Sequence, residues 1–184
     1  MKTRALIVVS LLSLALPAVA AAQADTGPLS IQGAVGTNAN VGGNTQALSV
    51  GFSPGERVSL LLNLERIHMP TEVDYYENGY SATRGGTTTF VSGEIQVVPV
   101  RFARVSPYVL AGAGTGRSRL NVNDIFPDPI TNTAALLFVG GGVRVPATSH
   151  LSVFADARFT LQVERENDGV FLFVPVRAGI AWRF

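Results

Sequence analysis

His150-Leu151-Ser152 sets an imidazole and a hydroxyl two residues apart. In a strand that spacing puts both side chains on one face, where they could serve as general base and nucleophile. The pair nevertheless begins at a turn, and the only other histidine, His68, is followed by Met69-Pro70 with no serine near it in sequence. A turn histidine and a rim histidine are the simpler readings, so no catalytic residue is assigned and the chain reads as a non-enzyme. Gly112-Ala113-Gly114-Thr115-Gly116 lacks the GxGxxG spacing, has no helix after it and lies inside a strand pattern, so it is no nucleotide loop. Its glycines instead let strands bend and bulky neighbours pack. Absence of cysteine removes thiolate zinc, disulfides and a lipid-modified cleavage-site anchor. No metal site and no cofactor are expected.

Ionisable residues recur on one face of alternating segments: Glu65, Glu94, Arg144, Asp156, Arg158, Arg177 and Arg183. Arg117 and Arg119 are added to that set only because an arginine in lipid is expensive. Gathered inside a narrow barrel, such groups would either gate a pore or fill it as neutralised buried pairs. The filled lumen is the reading adopted. A second cluster, Glu72, Asp74, Tyr75, Tyr76, Glu77 and Tyr80, with Arg84 nearby, reads as an acidic, tyrosine-rich surface contact loop, since tyrosine joins a large contact area to a polar handle. Asp124, Asp128, Glu166 and Asp168 make the same side acidic, but their spacing matches no calcium loop.

The elements that must position these groups are strands. The N-terminus reads as an export signal over residues 1–24: Lys2 and Arg4, an apolar run from Ala5 to Leu16, Pro17, then cleavage after Ala22 or Ala24. The remaining 25–184 make one domain of twelve arginines against thirteen carboxylates, a balance that gives no support for nucleic-acid binding. Period-2 alternation predicts strands near 28–40, 45–53, 57–68, 87–100, 106–119, 132–146, 151–164 and 169–184. In the last, Val170, Leu172, Val174, Val176, Ala178, Ile180, Trp182 and Phe184 form an unbroken apolar face, with Arg177 and Arg183 opposite. Links after the second, fourth and sixth strands are short. Those at Met69–Gly86 and Leu120–Thr131 are long and polar, the asymmetry of a barrel with periplasmic turns and external loops.

Three stretches carry a family likeness: Ser106-Pro107-Tyr108-Val109-Leu110-Ala111-Gly112-Ala113-Gly114, Val139-Gly140-Gly141-Gly142-Val143-Arg144 and the terminal Ala181-Trp182-Arg183-Phe184, behind an export signal. With them the chain resembles the small outer-membrane β-barrel family, which includes the eight-stranded transmembrane domain of outer membrane protein A and its X-type relatives. The resemblance implies that Trp182 and Phe184 form a signal read by the outer-membrane assembly machinery. No residues are left for a peptidoglycan-binding domain, so a cell-wall tether is not carried over.

The expectation is an all-β protein: an eight-stranded antiparallel up-and-down transmembrane β-barrel in the outer membrane of a Gram-negative-type bacterium. Its role would be structural or one of surface interaction, as a monomer among outer-membrane lipid and lipopolysaccharide. A narrow porin-like channel is the main alternative. A lipid A-modifying enzyme, and a secreted lipocalin-like barrel with its apolar residues inside, are further ones.

Overall fold

A computed structural model describes residues 27–75, 81–102, 104–120, 131–164 and 170–184. The predicted signal segment therefore lies outside the described residues, as do Tyr76, Glu77, Tyr80, Asp124, Asp128, Glu166 and Asp168. The elements are β1 (Leu29–Asn38), β2 (Asn44–Phe52), β3 (Val58–Tyr75), β4 (Ser81–Val97), β5 (Ser106–Leu120), β6 (Thr131–Pro146), β7 (Leu151–Glu164), β8 (Val170–Phe173) and β9 (Pro175–Arg183). Each pairs antiparallel with its neighbour, and β9 returns to β1 and closes the sheet. β8 and β9 both lie along β7 and form one wall strand broken at Val174. The break precedes Pro175, which has no N–H to give the ladder. Asn40 bridges it: the Val174 N–H donates to Asn40 Oδ1 and Asn40 Nδ2 donates to the Leu172 carbonyl, each at 2.8 Å. The wall thus has eight strands.

Its geometry follows from the register. Stepping from Arg117 across paired residues leads through Thr89, Arg66, Gln46, Val35, Ala178, Ala155 and Val143 back to β5 at Pro107, ten residues below the start. Eight strands with that stagger tilt by about 40° and enclose a backbone cylinder roughly 16 Å across. Side chains alone fill such a space.

Alternation then sorts the side chains. Leu48, Leu62, Leu137, Phe159 and Ile180 point outward and are exposed, while Glu65, Glu94, Asp156, Arg158 and Arg177 point inward and are buried. An apolar belt continuous round the wall needs lipid against it. The same orientation is the reverse of a soluble ligand-binding barrel, so the lipocalin-like alternative fails.

Three expectations need correction. Arg117 and Arg119 face outward and are exposed, while Gly112, Gly114, Gly116 and Ser118 take the inner face of β5. The reason is packing: a Cβ at Gly112 would lie 2.3 Å from Phe138 Cζ, and one at Gly116 2.6 Å from Phe90 Cδ1. Both arginines are close to the external end, where an arginine costs little. Secondly, Met69–Gly86 is no open loop. The hairpin continues past the wall, with Glu72 opposite Arg84 and Tyr75 opposite Ser81 after a register shift between Met69 and Glu72. That bulge absorbs Pro70, and Gly85, at φ 102°, sits where a Cβ would strike the Pro70 carbonyl. Glu72, Asp74 and Tyr75 consequently belong to β3 rather than to a loop. Thirdly, the lumen is not uniformly polar: Ile67, Phe90, Phe138 and Phe173 are buried inside it.

Candidate functional site in the lumen

Alternation brings one or two polar side chains per strand to the same depth, and the stagger of ten residues decides which of them meet. Arg158 on β7 reaches across to β4, donating from Nη2 to Glu94 Oε2 at 2.6 Å, and from Nη1 to Glu65 on β3 at 3.4 Å. Arg177 on β9 grips Asp156 with Nε on Oδ1 and Nη2 on Oδ2, both at 2.9 Å. It also reaches Glu65 at 3.5 Å. This two-point geometry is the strongest form of an arginine–carboxylate pair. The Tyr108 hydroxyl donates to Asp156 Oδ2 at 3.0 Å. Glu94 accepts from Gln96 at 2.8 Å and Asn63 at 3.0 Å.

Arg144 lies on the inner face nearer the periplasmic end. Among the described residues it meets no carboxylate directly: its Nη2 donates to Gln96 at 3.0 Å and Gln32 at 3.5 Å, and the guanidinium lies over the rings of Tyr108 and Phe154 at 5.5 and 5.9 Å. Arg158 similarly covers Phe138 at 4.8 Å. Cation–π contact of this sort stabilises a guanidinium removed from water. Glu65, Glu94 and Asp156 thus face Arg144, Arg158 and Arg177, three charges of each sign. The network touches every wall strand except β2. Above it Phe90, Phe138, Phe173 and Ile67 occupy the lumen toward the external end.

Arg183 is not part of this cluster. It is half-buried at the periplasmic rim, and no hydrogen bond or ion pair joins its side chain to the others among the described residues. Its backbone instead holds the β6–β7 turn: its N–H donates to the His150 carbonyl, and His150 Nδ1–H donates to its carbonyl at 2.9 Å. The same imidazole stacks on Trp182, with centroids 5.7 Å apart. His68 on the outer rim is 3.2 Å from the Thr87 hydroxyl. Among the described residues neither histidine is hydrogen-bonded to a serine side chain. Phe184 closes the terminal strand, its N–H donating to the Leu29 carbonyl at 3.0 Å.

Sequence reasoning missed Tyr108 and Gln32 as members of the network. Gln96 and Asn63 were legible, since they share the faces of Glu94 and Glu65. Tyr108 opens a strand whose glycines blur the two faces, so nothing nearby marks its direction.

A closed barrel of eight strands, with apolar residues outside and charges inside, matches the outer membrane protein beta-barrel domain over residues 6–184. The chain belongs to this family. Its members' location, the bacterial outer membrane, follows for this barrel as well. The fold is similar to that of neisserial surface protein A, at 14% identity and a TM-score of 0.67 over 88% of this chain and 100% of that one. It is also similar to the N-terminal barrel of OprF from Pseudomonas aeruginosa, at 16% identity and a TM-score of 0.55 over 87% of this chain and 100% of that one. Ail of Yersinia pestis, crystallised with the heparin analogue sucrose octasulfate, aligns at 16% identity and a TM-score of 0.51, over 85% and 97% of the two chains. No curated protein matches the sequence.

Proposed function

We propose that this family member is a non-enzymatic outer-membrane barrel whose lumen is filled, and that it acts as a structural and surface-interaction protein. One observation carries the reading. Arg158–Glu94 crosses the lumen from β7 to β4 and Arg177–Asp156 joins neighbouring strands inside it, both as buried pairs, with Phe90, Phe138 and Phe173 packed beyond them. A gate would need these pairs to separate, and each separation strands a charge away from water. Purified protein reconstituted in planar bilayers is expected to give no steady single-channel conductance. Regular unitary events in the wild type would replace this reading with a narrow pore.

Interaction would then fall to the external hairpin. The β3–β4 extension carries Glu72, Asp74 and Tyr75, with Tyr76, Glu77 and Tyr80 following in sequence. The acidic composition of this tip suits a basic or neutral partner better than a polyanion of the kind crystallised with Ail.

Export through residues 1–24 and recognition of Trp182 and Phe184 by the assembly machinery belong to the same proposal. The exposed Trp182 and Phe184 side chains, on an otherwise apolar strand face, support it. Deleting Phe184 is expected to lower the yield of folded barrel in outer-membrane fractions and leave unfolded protein in the periplasm. Normal insertion of the truncated chain would remove the signal role.

A further inference from the structure

Below the ion-pair network, toward the periplasmic mouth, the inner wall changes character. The inward carboxylates stop at Glu94 and Asp156, and the polar inward positions beneath them are Gln32, Gln96, Arg144 and Arg183. Serines stand between these. Ser59 is paired with Gln96, Ser106 with Arg144 and Ser30 with Arg183, all turned inward. Among the described residues this end of the lumen therefore holds cations and hydroxyls but no inward carboxylate.

The two arginines converge on Gln32. Arg144 Nη2 donates to its Oε1 at 3.5 Å, and Arg183 is its diagonal neighbour on β9, with Cα atoms about 7 Å apart. They act on each other as like charges, and Arg101 acts on Arg183 in the same way. Arg144 Nε is buried with no acceptor, a costly state for a charged donor. Of the carboxylates at this end, Glu56 is held by Arg101, and the terminal carboxyl lies against Gly27.

Donors reach this space from β1, β3, β5, β6 and β9, that is, from opposite sides of the wall. A planar carboxylate is matched by one guanidinium fork, whereas a tetrahedral oxyanion presents oxygens in every direction. Arg57, Arg101 and Arg104, exposed on the turns below, add a positive field that draws anions to the mouth. The pairs made by Arg158 and Arg177 stand across the upper end of the space.

We propose that the periplasmic mouth of the lumen binds one small phosphate-type dianion between Arg144 and Arg183, among the Ser30 and Ser106 hydroxyls. Its source is inorganic phosphate or the phosphoryl group of a small soluble ester. The bound anion would link β6 to β9 through two cations that otherwise repel, so that the ligand stabilises the barrel. The proposal goes beyond the filled-lumen reading and does not depend on it, since binding and conduction are read separately.

Nitrogen-15 NMR of the arginine side chains tests this on the full-length purified barrel in non-ionic detergent micelles. Inorganic phosphate, glycerol 3-phosphate and succinate are titrated at constant ionic strength. The Arg144 and Arg183 Nε–H signals are expected to shift together and saturate with a phosphate probe, with succinate at least about tenfold weaker. Whichever phosphate probe binds tighter identifies the source, and either supports the site. Arg144→Gln and Arg183→Gln should each weaken binding by about tenfold, while Arg119→Gln at the external end leaves it unchanged. Cold gel migration shows that each variant is folded, and Arg183→Gln, at the rim, carries the test should Arg144→Gln fail to fold. Shifts that rise without saturating, an equal response to succinate, or wild-type affinity in the folded variants overturns the proposal and leaves only a diffuse positive field.

Discussion

Replacing Asp156 with Ala is expected to destabilise the folded barrel by about 3–5 kcal/mol, the usual consequence of removing one partner from a buried ion pair. Asp156 accepts two bonds from Arg177 and one from Tyr108, and lies 3.6 Å from Arg158 Nε. Without it, Arg177 keeps only the 3.5 Å contact to Glu65, and three arginines face two carboxylates. The apolar rings above the cluster offer no replacement acceptor. Asp156→Asn should lose less, because its amide oxygen still accepts from Arg177 and its shape is unchanged. Glu56→Ala makes the exposed control: its pair with Arg101 in the periplasmic turns is largely in solvent, 84% on the glutamate side, and such pairs contribute between 0 and about 1 kcal/mol. Urea titrations in lipid vesicles rank the three variants. An Asp156→Ala barrel as stable as Glu56→Ala would mean that the lumen pairs do not hold the wall together.

How far such partners can be read from sequence depends on what sets them. Inward and outward faces were legible on β7, β3 and β9 because one face of each is apolar over most of its length while polar residues recur on the other, and one slip of register would expose the whole set. On β5 the contrast vanishes: Ala111 and Ala113 face out while Gly112 and Gly114 face in, and neither type declares a side. Arg117 and Arg119 were consequently turned inward by a cost argument that ignored their height. Depth matters as much as facing, since the cost of an arginine in the wall falls steeply toward the interface. The charged residues of the lumen were legible too, but not their pairing. Arg158 meets Glu94 across the barrel from β7 to β4, strands that share no ladder. Only the stagger accumulated round the complete wall brings them level, and no local window of sequence contains it. The continuation of β3 and β4 beyond the wall was lost for a related reason: outside lipid neither face must be apolar, so the alternation that marks a strand is absent.

The outer wall yields the other large effect. Arg substituted at Ala157 is expected to cost about 2–4 kcal/mol, the general figure for a lipid-facing arginine near the midplane. Ala157 lies mid-strand on β7, between Gly141 and Val176 on the neighbouring strands, and its outer surroundings offer no acceptor. A long side chain there must either stay in hydrocarbon or draw water toward it. At Val58, the first residue of β3, the same substitution should cost between 0 and about 1 kcal/mol, because the guanidinium reaches the periplasmic interface directly. Both positions face outward in a period-2 strand, so the contrast reads depth alone. Folding titrations of Ala157→Arg and Val58→Arg into vesicles give the two costs. Equal losses at the two positions would place Ala157 at an interface rather than mid-wall.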